Sequence, residues 1–93
     1  MDDKIRTLMN SLQQQCQESE ITYRHRPHFH EFKAQTQGIE NYIAIDDNYL
    51  SEKPVEEIWR KLDNFGIIER AFSDQLHHCV KINRNGNLQG YAP

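Results

Sequence analysis

The chain has 93 residues, which is enough for one domain with a small hydrophobic core and too few for a second domain. Hydrophobic residues make up 37% and charged residues 27%, a balance that is compatible with a folded soluble protein. The formal net charge of −3 argues against a protein that binds polyanions through its overall charge.

No apolar run approaches the roughly 18 to 20 residues that cross a bilayer, and the first ten residues lack the basic start and apolar stretch of a signal peptide. We therefore expect a cytoplasmic protein without a membrane partner. In that compartment Cys16 and Cys79 are expected to stay reduced and not to pair.

Charged residues separate into an acidic and a basic segment. Residues 40–57 carry a single base, Lys53, against six acids: Glu40, Asp46, Asp47, Glu52, Glu56 and Glu57. Residues 22–33 carry three bases and one acid: Arg24, Arg26, Lys33 and Glu31. Charge runs are usually solvated surface, and the acidic run is also a candidate for binding a basic partner.

A first helix is predicted at residues 3–17, where one apolar stripe has the helical period: Ile5, Leu8, Met9, Leu12 and Cys16. Asp2 and Asp3 stand at its positive end, where carboxylates are favourable. We expect this helix to pack on the helix that contains Trp59.

The best-marked helix is predicted at residues 51–66, SEKPVEEIWRKLDNFG. Ser51 is the expected N-cap, Pro54 fits the first turn, and Gly66 is the expected stop. Its buried stripe has the helical period: Val55, Ile58, Trp59 and Leu62. Trp59 is the sole tryptophan and is expected at the centre of the core.

Three segments between these helices have strand character. Residues 21–25 alternate apolar and polar side chains, and Pro27 confines that strand to a sheet edge. Residues 28–37 form a second strand or an ordered loop, and residues 41–45, NYIAI, form the clearest strand.

Beyond residue 66 the sequence predicts a closing hairpin. Residues 67–72 fit a strand or a further helical turn, and periodicity does not decide between them. Residues 76–82 alternate, and Asn85-Gly86 is a strong hairpin signal before LQGY. The chain is therefore predicted to be one α+β domain, residues 1–93, with two layers: an N-terminal helix, two or three antiparallel strands, the amphipathic helix and a C-terminal β-hairpin.

Histidines and cysteines are the residues most suggestive of chemistry. His25, His28 and His30 form one group, and His77, His78 and Cys79 form another, but neither has the ligand spacing of a structural zinc framework. Whether the five histidines converge is left open by the sequence. No phosphate-binding loop, nucleophile elbow or metalloprotease motif occurs, so we predict no enzymatic activity, no metal and no cofactor.

Residues 55–86, about a third of the chain, resemble in outline the last helix and wing of winged-helix proteins: an amphipathic helix, a glycine, a short strand, a polar turn and a returning strand. The resemblance implies that Arg60 and Lys61 face a DNA groove and that Arg84 is a wing contact. The order helix, three strands, helix is also similar to double-stranded-RNA-binding domains, although residues 51–54, SEKP, replace their lysines.

The leading hypothesis is a small protein-binding module, such as an inhibitor or accessory factor of a nucleic-acid-handling or toxin-like partner. A compact fold should gather five carboxylates at one end of the molecule: Asp46, Asp47, Glu52, Glu56 and Glu57. They would meet a basic surface of the partner protein. Nucleic-acid binding through Arg60, Lys61 and Arg84 is the alternative, and the sequence does not indicate an oligomeric state.

Overall fold

The structure, a computed structural model, describes residues 3–64 and 79–91, so the predictions for Gly66 and residues 67–72 lie outside the described residues. The described helices are α1 (Asp3–Gln15), α2 (Asp47–Glu52) and α3 (Val55–Asn64). The described strands are β1 (Glu20–Arg26), β2 (Phe29–Thr36), β3 (Ile39–Asp46), β4 (Cys79–Ile82) and β5 (Leu88–Gly90). None of these helices has the length and apolarity needed to cross a membrane.

The five strands form one mixed sheet in the order β1-β2-β3-β4-β5. β3 and β4 are parallel, and the other three neighbouring pairs are antiparallel. The α+β class is confirmed, but the predicted strand count and arrangement were wrong, because the C-terminal hairpin extends the sheet formed by β1 to β3. Parallel neighbours need a long crossover, and the chain between β3 and β4 contains α2 and α3.

Register fixes which side chains share a face. Tyr23 pairs with Phe32, Phe32 with Ile43, and Ile43 with Val80, so these four residues lie on one face. The core lies between this face and the helices, and its most deeply buried side chains are Phe32, Leu8, Leu12, Ile43, Ile45, Ile58, Leu62 and Ile82. The alternate residues, among them Arg24, Glu31 and Lys81, lie on the opposite face, which we call the helix-free face for the described part of the chain.

The predicted helix at residues 51–66 is divided in the structure. Ser51 lies inside α2, whose N-cap is Asp46, and it is therefore not the N-cap that was predicted. Lys53 is extended, with φ −105° and ψ 144°, because a residue before proline is disfavoured in the helical region. The chain then turns at Pro54, whose carbonyl accepts hydrogen bonds from the N–H groups of Glu57 and Ile58.

The position predicted for Trp59 was wrong. Ile58 and Leu62 are the α3 residues in the core, at 0% and 1% exposure, whereas Trp59 is half-buried and packs against the core from outside. Val55 and Trp59 lie four residues apart on one edge of the predicted stripe, and both are only partly buried against the core. Trp59 therefore borders solvent.

The closing hairpin is confirmed. β4 and β5 are antiparallel, and the turn between them is closed by hydrogen bonds between Asn83 and Asn87 and between Asn83 and Gly86. Gly86 has φ +84°, a conformation that favours glycine, and it lies against Tyr49 and Lys61. The turn therefore contacts both α2 and α3.

Candidate functional site

Two of the five predicted partner-binding carboxylates have internal roles. Asp46 accepts hydrogen bonds from the backbone N–H groups of Asn48 and Tyr49, at 2.9 and 3.3 Å, and so caps α2. Asp47 is the first residue of α2, and its carboxylate contacts two histidine rings. That both residues bind a partner stays a prediction.

The other three predicted carboxylates are exposed on the α2–α3 segment. Glu52 ends α2, and Glu56 and Glu57 lie in the first turn of α3. Carboxylates are favourable in the first turn of α3 because the N-terminal end of a helix is positive. Asp63 adds a fourth exposed carboxylate further along α3.

A groove of about 420 Å³ runs between α1 and α3. Its walls are mainly apolar, and its lining residues are Thr7, Leu8, Ser11, Val55, Glu56, Trp59, Arg60 and Asp63. Trp59 is the largest side chain in this set and is half-buried, so one part of its ring packs on the core while another part borders the groove. The groove thus combines an aromatic wall with an acidic rim.

The three predicted nucleic-acid-binding residues are spread over two elements. Arg60 is exposed and lines the groove with α1. Lys61 is half-buried and lies against Gly86 of the β4–β5 turn, and Arg84 is exposed in that turn. Their binding to nucleic acid stays a prediction.

The helix-free face of the sheet carries a buried carboxylate that the sequence analysis missed. Glu31 is 2% exposed, and its oxygens lie 2.7 Å from Arg24 and 3.7 Å from Arg26. Tyr91 donates a hydrogen bond to the same carboxylate at 3.0 Å. Burial and then the charge of Glu31 raise the pKa of Tyr91, so this tyrosine remains a neutral donor.

Basic and aromatic side chains surround this buried carboxylate. Arg26 and Lys81 lie over the ring of Phe29, at 5.6 and 4.9 Å from its centroid. Tyr42 donates a hydrogen bond to Glu40 at 2.6 Å, and this bond is the largest cause that raises the pKa of Tyr42 to about 12. The basic segment seen in the sequence is thus displayed largely on the face opposite the helices.

Among the three histidines of the described residues, two converge with Asp47. His25 and His30 pair across β1 and β2, and their rings stack with centroids 4.4 Å apart. Asp47 Oδ1 lies 3.1 Å from His25 Nε2 and 2.7 Å from His30 Nε2. Tyr23 Oη lies 2.6 Å from His30 Nδ1. We call His25, His30 and Asp47 the histidine corner.

The chain builds this corner through one tight turn. Residues 27–28 connect β1 to β2, and His28 adopts φ +74° in that turn, where it is exposed and is not part of the corner. The N–H of Asp47 donates to the carbonyl of His28 at 3.0 Å, which holds the start of α2 beside the turn. A turn centred on residues 27–28 pairs residue 25 with residue 30, and this is the sequence signal that could have found the pair. His77 and His78 lie outside the described residues.

Both cysteines are free thiols. Cys16 is buried on the core side, and desolvation raises its pKa to about 11. Burial and then the charge of Glu31 also raise the pKa of Cys79. Raised thiol pKa values disfavour the thiolate, so the described surroundings of both cysteines do not activate a nucleophile.

Comparison with known protein families, with curated proteins and with solved structures finds no match to this chain. The function is therefore inferred from the groove, the helix-free face and the histidine corner.

Proposed function

We propose that this protein is a small protein-binding module that holds a basic segment of a partner protein on α3. The observation that carries the proposal is the half-buried Trp59 in the wall of the α1–α3 groove. Tryptophan is enriched among the residues that dominate binding energy, because a large rigid ring loses much water contact at little entropic cost. A groove of about 420 Å³ accommodates one or two apolar side chains of a partner.

The charges beside the groove favour a basic occupant. Four exposed carboxylates lie on the α2–α3 segment: Glu52, Glu56, Glu57 and Asp63. Arg60 is the one exposed base of the same described segment. An apolar side chain flanked by lysine or arginine would therefore fit the groove and its rim together. Such charges would speed association, and the effect would weaken as salt screens it over about 8 Å at physiological ionic strength.

Asp46 and Asp47 would contribute to this binding surface indirectly, by positioning α2. Both carboxylates hold the start of α2, and α2 leads directly into the segment that carries the acidic rim. Lysine at Asp46 would remove the cap of α2 together with the charge. Charge reversal at Glu56 and Glu57 therefore separates binding from folding more cleanly than charge reversal at Asp46.

The experiment begins with a pull-down from source lysate, with and without nuclease, to recover a partner. The recovered partner is then titrated against Trp59→Ala and against the double variant Glu56→Lys with Glu57→Lys. We expect each change to weaken affinity at least about tenfold, and the double variant to lose most in the association rate. The matched control, called the Glu18 control, is the double variant Glu18→Lys with Glu20→Lys, since both are exposed acids outside the α2–α3 segment and the net charge changes equally.

The proposal fails if the partner binds both variants as tightly as it binds the unmodified protein. Equal weakening by the Glu18 control would also contradict it, because the effect would then reflect net charge alone. Binding that rises when the acids become lysine would instead point to a nucleic-acid ligand, through loss of repulsion.

Nucleic-acid binding is a second candidate, favoured by the chemistry of the helix-free face. Arg26 and Lys81 flank the Phe29 ring, and Lys33 and Tyr42 border a neighbouring depression of about 250 Å³. Basic side chains between aromatic rings are typical of surfaces that bind single strands, where phosphates meet cations and bases stack on rings.

Anisotropy of a labelled single strand, measured at low and physiological salt, tests this candidate. Replacing Lys33 and Lys81 by glutamate should abolish binding if the helix-free face is used. The combined substitution of Arg60, Lys61 and Arg84 tests the winged-helix alternative in the same assay. Absence of any salt-dependent binding by the unmodified protein would exclude both surfaces.

A further inference from the structure

We propose that the histidine corner binds a divalent first-row transition ion, for which Zn²⁺ is the probe. Two neutral imidazole nitrogens and one carboxylate oxygen are the ligand types that such ions take in proteins. In the described part of the chain, the ligand atoms of His25, His30 and Asp47 all lie within 4.8 Å of one another. They come from two neighbouring strands and from the first residue of α2, so the fold itself holds them together.

The separations suit an ion once one histidine ring rotates. Ligands at about 2.0 to 2.1 Å from a tetrahedral Zn²⁺ lie about 3.3 Å from each other. Asp47 Oδ1 lies 3.1 Å from His25 Nε2 and 2.7 Å from His30 Nε2, so each of these two separations has to widen by less than about 1 Å. The His25 and His30 rings are stacked with their planes 5° apart, so one ring has to rotate before both nitrogens point at the same ion. His25 is 58% exposed and Asp47 is 38% exposed, so side-chain rotation is open to both.

A contact at the second ring nitrogen of His30 orients this ligand. Tyr23 Oη lies 2.6 Å from His30 Nδ1, and in the ion-bound form Nδ1–H would donate to this oxygen. That arrangement keeps His30 Nε2 without a proton and directed at the ion. Metal-binding histidines commonly have such a partner at the second nitrogen, because it fixes the tautomer and the ring orientation. His30 is the least exposed of the three ligands, at 13%.

One side of the corner is open. A cleft of about 190 Å³ adjoins it and is lined by Lys4, His30, Asp47, Leu50 and Ser51. Three protein ligands beside an open position are typical of zinc sites that bind water or an exogenous ligand, whereas structural sites have four protein ligands. The positive Lys4 ammonium lies beside this cleft and would repel a cation. Hydrogen bonds to the carbonyls of Leu50 and Lys53, at 2.8 and 2.7 Å, hold that ammonium at the backbone of the α2–α3 segment.

The competing interpretation is a hydrogen-bonded network without an ion. Asp47 would accept from the Nε2–H groups of His25 and His30, and Tyr23 would donate to His30 Nδ1. This network uses the same distances, so binding has to be measured. A network without an ion predicts no saturable binding of Zn²⁺ at the corner.

The test is a calorimetric titration of the chelator-treated full chain with Zn²⁺, accompanied by the visible spectrum of the Co²⁺ complex. We expect one equivalent to bind with micromolar or tighter affinity. His25→Ala and Asp47→Asn should each weaken binding at least about 100-fold, and Tyr23→Phe should weaken it about 10- to 100-fold. Circular dichroism establishes that each variant is folded. His25 is the most exposed of the three ligands, so His25→Ala should disturb the fold least.

Two controls accompany the titration. His28→Ala removes an exposed histidine that lies two residues from His30 and outside the corner, and it should leave the affinity unchanged. Cys79→Ser should leave the Co²⁺ spectrum unchanged, because the ligands proposed are nitrogen and oxygen. The proposal is overturned if the unmodified chain does not bind one equivalent saturably, or if His25→Ala and Asp47→Asn bind as tightly as the unmodified chain. A thiolate charge-transfer band in the Co²⁺ spectrum would likewise overturn this ligand set.

Discussion

The clearest test of the fold is the relative cost of truncating Leu62 and Trp59, which are neighbours on α3. Leu62 is 1% exposed and lies among core side chains from the sheet and from α1. Truncating such a leucine removes its transfer energy and leaves a cavity, at a cost of about 2 to 5 kcal/mol. Trp59 is half-buried at the groove, so truncation removes only part of its contact and leaves a space that water can enter. We expect Trp59→Ala to cost about 1 to 2 kcal/mol.

The difference is measurable because small domains are marginally stable. A domain of this length has a free energy of unfolding of about 5 to 14 kcal/mol, and each kcal/mol shifts its Tm by about 4 to 8 °C. Leu62→Ala should therefore lower the Tm by at least about 8 °C, and Trp59→Ala by clearly less.

The assay is urea unfolding followed by far-ultraviolet circular dichroism, since tryptophan fluorescence is lost in one variant. Arg60→Ala is the surface control and should change the free energy of unfolding by less than about 0.5 kcal/mol. The slope of the free energy against urea should stay constant across the variants, which establishes that only stability changed. A cost for Trp59→Ala equal to or above that of Leu62→Ala would refute the placement of Trp59 outside the core.

Three further outcomes follow from particular side chains. Gly86→Ala should destabilise the protein more than Gly38→Ala. Both glycines have positive φ, so alanine is strained at either position. A Cβ at Gly86 would also lie 3.1 Å from a ring carbon of Tyr49, whereas a Cβ at Gly38 would have no atom within 4 Å. Thermal melting of the two variants measures the difference. Cys16 should react with a thiol reagent far more slowly in the folded protein than in urea, because burial raises its pKa to about 11. Burial also raises the pKa of Tyr91 in the folded protein. As pH rises, the phenolic proton of Tyr91 is therefore lost from the unfolded state first, and the free energy of unfolding should fall above about pH 10. Tyr91→Phe should make that decline shallower in pH-dependent urea unfolding.

The sequence predicted the residue types of the candidate site but not their arrangement in space. The acidic run and its exposed members on α3 are visible as charge, and the histidines are visible as a group. The groove required the packing of α1 against α3, which decided that Leu62 faces the core and that Trp59 borders solvent. The buried position of Glu31 required the register of β1 and β2 and the return of Tyr91 to the same face.

The sequence by itself determined the elements whose signals are local. Alternation over residues 21–25 and 41–45 predicted β1 and β3, the helical stripe predicted α1, and Asn85-Gly86 predicted the turn between β4 and β5, because side-chain period and turn chemistry act between near neighbours. Tertiary structure alone decided the parallel pairing of β3 with β4 and the approach of Asp47 to His25 and His30. Those contacts join residues 17 or more positions apart, and no local period encodes which strand edge or helix end a distant segment will meet.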